Sequence, residues 1–81
     1  MNRQDIYDLI VEILSKEYEI PAEKIKPESH IFEELNLDSL DAMDLLVDME
    51  RKFKIKISAE RAKKIQTIND IIDFVLEIKN L

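Results

Sequence analysis

Residues 35–50 read LNLDSLDAMDLLVDME, and this stretch decides the fold. Measured from Leu40 at about 100° per residue, Ala42, Leu45, Leu46, Met49 and Phe53 fall within one arc of about 100°. That is the buried stripe of an amphipathic helix, predicted from about Ser39 to Phe53. Two residues compete to cap its start. Ser39 is a good capping type, but three residues beyond it stands Ala42. Three residues beyond Asp38 stands Asp41, which allows the reciprocal bonds of a capping box and suits the positive end of the helix dipole. Asp38 is therefore the predicted cap. Ser39 becomes the first helical residue, with its hydroxyl toward solvent. The opening turn of a helix also offers free N–H groups that favour an attached phosphate, although Asp38 and Asp41 oppose one.

The helix holds more apolar residues than its stripe needs. Leu40, Met43 and Val47 lie on the next sector, beside an acidic stripe of Asp41, Asp44 and Asp48. Apolar residues edged by one sign of charge can form a docking surface: electrostatics guides approach and apolar contact holds the partner. A wide core face with a solvated acidic edge has the same periodicity, so the pattern alone leaves both readings open.

Upstream, Ile6, Leu9, Ile10, Ile13 and Leu14 recur at helical spacing and predict a helix over residues 4–18, stopped before Pro21. Residues 19–37 then form a long first loop. Ile20, Ile25, Ile31, Phe32 and Leu35 lack a helical period there and are expected to pin the loop onto the core. Tyr7 and Tyr18 are expected at the edge of the first helix. Downstream, KIKIS (54–58) alternates like a strand but has no pairing partner, so an extended connector is expected. Ser58 is placed to cap a short third helix running through Ile65. Thr67 opens a fourth, with Asp70 three residues on and Ile68, Ile71, Ile72, Val75 and Ile78 on its buried face. The expected fold is all-α, a small four-helix bundle of three longer helices, one short helix and a long first loop, in a single domain over residues 1–81.

Composition narrows the function. In a chain of 81 residues, roughly 60–65% of the unfolded surface can be buried. That supports one modest core and not a deep catalytic cleft. Glycine is absent, which disfavours a fold rich in tight turns. The net charge of −6 disfavours nucleic acid and suits basic partner proteins. Cysteine is also absent, so any thiol chemistry must be imported. With no leader pattern and no apolar run near ~18 residues, a cytoplasmic protein without a membrane span is expected. His30 is the one histidine and is expected to be solvated; with no second histidine or cysteine it offers no metal site. The acids at 38, 41, 44 and 48 lack the glycine and terminal glutamate of a calcium loop. Ser39 has no histidine partner for a nucleophile–base set, so the chain reads as a non-enzyme.

Two segments carry a resemblance. FEELNLDSLDAMDLLVDMERKFKIKI (32–57) joins an acidic approach, Asp-Ser-Leu, an acidic and apolar helix, a phenylalanine and an isoleucine-rich link. KIQTINDIIDFV (64–75) follows it. Together they resemble the acyl carrier protein family over nearly the whole chain, to Ile78. The resemblance implies a right-handed helical bundle and a 4'-phosphopantetheine arm on Ser39. A separate magnesium-dependent phosphopantetheinyl transferase would move that arm from coenzyme A. The arm's thiol would carry acyl cargo as a thioester in fatty-acid, polyketide or related synthesis. Asp38, Leu40, Asp41, Asp44, Val47 and Glu50 would face the basic docking patches of acyl-loading, condensing and modifying enzymes, with the carrier acting as a monomer. A short acyl chain would lie between the second and third helices, near Leu45, Leu46, Ile57, Ala62 and Ile65. An aminoacyl or peptidyl carrier uses the same arm. Outside the carrier class, an unmodified helical interaction module is the alternative.

Three features depart from the family pattern. Asn36 stands where glycine is usual, and asparagine tolerates positive φ better than most residues. Arg51 replaces a residue that is often acidic. Arg61 and Lys63 in SAERAKKI make the third helix basic where relatives are acidic. Each exposed pair so lost to a partner would weaken docking by ~0.2–1 kcal/mol, which points toward a specialised carrier.

Overall fold

Three segments with helical apolar spacing become helices packed through isoleucine and leucine. The computed structural model describes residues 2–79. Met1, Asn80 and Leu81, at the ends of the expected 1–81 domain, lie outside the described residues. The helices are α1 (Arg3–Glu17), α2 (Ser39–Phe53), α3 (Ala59–Ala62) and α4 (Ile68–Lys79), with a short 3-10 turn at Ala22–Lys24. The expected all-α bundle is therefore observed. Among the described residues no strand forms, and His30 and Thr67 make one isolated bridge.

Each helix starts on a polar side chain. Asn2 accepts from the Asp5 N–H at 2.9 Å. The Asp38 carboxylate accepts from the Asp41 N–H at 2.8 Å, and Asp41 accepts in return from the Asp38 N–H at 3.3 Å, the reciprocal box expected from their spacing. Ser58 Oγ accepts from the Arg61 N–H at 3.2 Å. Thr67 and Asp70 repeat the reciprocal arrangement before α4, at 3.2 and 3.0 Å.

The helical turns end without glycine. Glu19, Asn36 and Lys54 take φ values of 55°, 57° and 55°. Each follows a helical turn and lets the next N–H fold back onto it: Ile20 to the Leu14 carbonyl, Leu37 to Ile31 and Ile55 to Glu50. The absence of glycine does not prevent such turns; three side chains carry the steric cost instead.

The core joins Ile6, Ile10, Ile13 and Leu14 of α1, Leu45, Leu46, Met49 and Phe53 of α2, and Ile68, Ile71, Ile72 and Val75 of α4. α3 adds no buried side chain. It is also shorter than its sequence indicates: it stops at Ala62, and turn-like bonds from Lys64 and Ile65 complete the path to Ile65. The first loop is fastened by Ile25, Ile31 and Leu35, as expected, and also by Leu37. Phe32 differs from expectation. It is 39% exposed, because Ile31 takes the inward direction of the turn.

Backbone bonds staple this loop to the start of α4. Ile31 donates to the Gln66 carbonyl at 2.8 Å, Asn69 to Pro27 at 2.8 Å and Ile68 to Ser29 at 3.1 Å. Ser29, buried at the centre, accepts from the Lys26 N–H at 2.9 Å. His30 is not a solvated side chain: it is half-buried, and its Nδ1 accepts from the Glu33 N–H at 3.2 Å. The connector behaves as its alternation predicts, with Ile55 buried, Lys56 exposed and Ile57 half-buried. Tyr7 and Tyr18 sit at the margin of α1, where their hydroxyls donate to the Ile25 and Asp41 carbonyls at 2.7 and 3.3 Å.

Candidate functional site

The capping box decides what Ser39 can do. Asp38 bonds the free N–H of Asp41, so the Ser39 hydroxyl has no capping duty. Ser39 is exposed at the first position of α2. It lies on the rim of a groove of about 270 Å³ between α2 and the α3 segment. Ala42, Met43 and Leu46 form the α2 wall, Ala59, Ala62 and Ile65 the other, and Phe32 of the first loop also lines it. Phe32 thus gives up core burial to cover an apolar groove.

The residues that the resemblance sets beside an acyl chain fall in different places. Leu46, Ala62 and Ile65 line the groove. Leu45 does not, being fully buried in the core, and Ile57 lies on the connector outside the lining. Lys63 joins the wall as a residue that the sequence reading did not place there.

The spare apolar residues are solvent-facing: Leu40 and Val47, round the helix from the groove, are 76% and 37% exposed, and Met43, on the groove wall, is 54% exposed. This resolves the ambiguity of the periodicity in favour of an unburied apolar strip. Asp38 and Asp44 are exposed beside it, and Asp41 is half-buried. Glu50 is half-buried, with Oε2 accepting from the Ile57 N–H at 2.8 Å, so one carboxylate oxygen is committed to holding the connector.

The acidic side of α2 continues onto α1. Glu17, Tyr18, Asp44, Val47, Asp48 and Arg51 line an open cleft of about 510 Å³. The Glu17 carboxyl is raised above its usual range, chiefly by its hydrogen bond with Asp48, then by desolvation and the Asp48 charge. The Tyr18 hydroxyl is raised mainly by burial, then by Asp44 and Asp41. A free anion gains little from such surroundings.

Residues 8–75 match the family model described as a phosphopantetheine attachment site. The chain belongs to the acyl carrier protein family. The carrier is 42% identical over 72 residues to the acyl carrier protein of Syntrophus aciditrophicus, covering 89% of each chain. It is 35% identical over 75 residues to that of Thermosynechococcus vestitus, covering 93% of each. The crystal structure of the acyl carrier protein from Thermotoga maritima superposes with a TM-score of 0.87 at 32% identity, covering 99% of the carrier and 93% of that chain. Membership brings a covalent 4'-phosphopantetheine and a carrier role served by partner enzymes. An exposed hydroxyl beside an apolar groove fits that group. Among the described residues no helix is long and apolar enough to cross a membrane.

Proposed function

We propose that Ser39 is the attachment point of the arm, and that the whole chain acts as one non-catalytic acyl carrier domain. The observation that carries this reading is the exposed Ser39, freed from capping by Asp38 and set on the rim of the groove. In the attachment step, Ser39 Oγ bonds to the phosphorus of the pantetheine phosphate. The phosphoanhydride bond of coenzyme A breaks, adenosine 3',5'-bisphosphate leaves, and the hydroxyl proton passes to a base on the transferase. The bound arm supplies a terminal thiol that holds the acyl group as a thioester, which answers the lack of cysteine in this chain.

The chain's own residues then bind and present. Ala42, Met43, Leu46, Ala62 and Ile65 offer an apolar bed, which favours an acyl cargo over a charged aminoacyl one. Leu40 and Val47 make the apolar contact with partner enzymes. Asp38, Asp41 and Asp44 guide basic docking patches, and Glu50 contributes through its remaining oxygen. Work in fatty-acid or related synthesis, as a cytoplasmic monomer, is part of the same proposal.

Intact-protein mass spectrometry tests it. Wild type and Ser39→Ala are incubated with coenzyme A, magnesium and a broad-specificity phosphopantetheinyl transferase. One added phosphopantetheine on wild type and none on a folded Ser39→Ala is expected. Addition to both proteins would move the attachment point elsewhere. Addition to neither, with several transferases, would favour an unmodified interaction module.

A further inference from the structure

α3 is the least anchored helix of the bundle. It has four residues, Ala59–Ala62, and buries none of them. Yet Ala59 and Ala62 line the groove beside Ser39, so the position of α3 sets the groove's width. Ala62 packs against the edge of the core, and one polar α3 side chain reaches back to the bundle. Arg61 donates from Nη2 to Glu77 Oε1 at 3.0 Å, and its guanidinium carbon lies 5.6 Å from the centre of the Phe74 ring. Both partners belong to α4, which is fixed in the core by Ile68, Ile71, Ile72 and Val75. A planar guanidinium can make both contacts at once, bonding through its edge and stacking through its face.

Resting on the carrier reading above, we propose that the contact of Arg61 with Glu77 and Phe74 is a latch. It sets the width of the groove beside Ser39, and with it the length of acyl chain the carrier shelters. With the latch closed, Ala59 and Ala62 stay near Ala42, Met43 and Leu46, and the groove takes a short chain. With it released, α3 is held by Ser58 and by its flanking residues Ile57 and Ile65, and it can move away from α2 to admit a longer one. The partly solvated setting of Arg61 and Glu77 suits this use, because an exposed ion pair opens without unfolding the bundle. It also gives the basic character of α3 an internal purpose. Arg61 holds the groove wall in place and is not simply a missing acid on a docking surface.

The test uses the full chain loaded at Ser39 from acyl-coenzyme A with butanoyl, hexanoyl, octanoyl, decanoyl and dodecanoyl groups. Wild type, Arg61→Ala and Glu77→Gln are compared. The thermal midpoint of each acylated form is referred to the unacylated holo form of the same variant, which cancels any general change in stability. In wild type the midpoint should rise with chain length until the groove is full and then level off. In Arg61→Ala the rise should continue for at least one further member of the series, and Glu77→Gln should shift in the same direction. A plateau at the same length in all three proteins overturns the latch while leaving the carrier reading intact. A loaded wild type with no dependence on chain length overturns it too, since the groove then shelters nothing. A wild type whose mass shows no arm overturns the carrier reading and the latch together.

Discussion

α2 and α3 face the same groove, but α2 sets Leu45, Leu46, Met49 and Phe53 in the core, whereas α3 buries none of its own side chains. α2 also carries a reciprocal cap at its start and a left-handed Lys54 with a fold-back bond at its end. α3 has one serine cap and the reach of Arg61. One wall of the groove is thus part of the fold, and the other rests against it. A carrier needs this asymmetry if its partners are to find an unchanging docking face on α2 while cargo of different size enters beside it. The largest difference should appear in truncations. Leu45→Ala removes a fully buried side chain and should cost ~2–5 kcal/mol, whereas Arg61→Ala should cost at most about 1 kcal/mol. Urea unfolding of both variants measures this. Equal losses would mean that α3 is as integral to the fold as α2.

The caps refine the comparison at the next scale. Asp38→Ala should lose ~0.5–2 kcal/mol, because the N–H of Asp41 loses its acceptor. It should also slow modification of Ser39, since the first turn that presents the hydroxyl frays. Ser58→Ala, at the start of α3, tests the same chemistry on a helix with nothing buried, and its loss should lie at the lower end of that range. At the other end of α2, Lys54→Gly should be stabilising. A side chain in the left-handed region costs ~1–2 kcal/mol, and glycine loses ~0.5–1 kcal/mol in chain entropy, which leaves a gain of about 0–1.5 kcal/mol. Urea midpoints at constant slope would show it.

The same contrast governs what the sequence reveals. α2 was legible to the residue because its spacing and its cap point to one arrangement, whereas its apolar surplus left two readings that only the exposure of Leu40, Met43 and Val47 separates. α1 and α4 follow from periodicity alone. α3 was misjudged in length, since four residues cannot display a period and Ser58 fixes only where it starts. Arg61 was visible only as a departure in charge; its partners lie on α4, 13 and 16 residues further along the chain. Phe32 read as core because the long loop has no period to assign inside and outside. Leu37 went unnoticed for the same reason, and its burial depends on the left-handed Asn36 that turns the chain back onto Ile31. Local signals marked Ser39, whereas the groove beside it needs three segments brought together.

The smallest effect should arise where α2 meets α1, and it concerns proton binding. Across that junction a proton held between the Glu17 and Asp48 carboxyls is favoured, with Asp44 nearby and Lys52 partly opposing them. The Glu17 carboxyl is raised above the ordinary glutamate value. The folded state therefore holds this proton more tightly than the unfolded state does. The resulting stabilisation is fully present below pH 4.5 and is lost as pH rises through the raised folded value. At neutral pH the charged Glu17 faces Asp48 and Asp44 as a repulsion. Glu17→Gln replaces the ionised group with a neutral one of similar shape, so the variant should be more stable than wild type at neutral pH. That advantage should shrink as the solution is acidified through the folded value, and cease to change below pH 4.5. Because Glu17 is exposed, solvent screening keeps the difference small, and added salt should reduce it further. Unfolding curves collected across this range at low and high salt measure it. Parallel profiles for variant and wild type would mean that the pair exerts no force between the helices, and that α2 is held to α1 by its apolar face and the Tyr18 hydroxyl without help or hindrance from these acids.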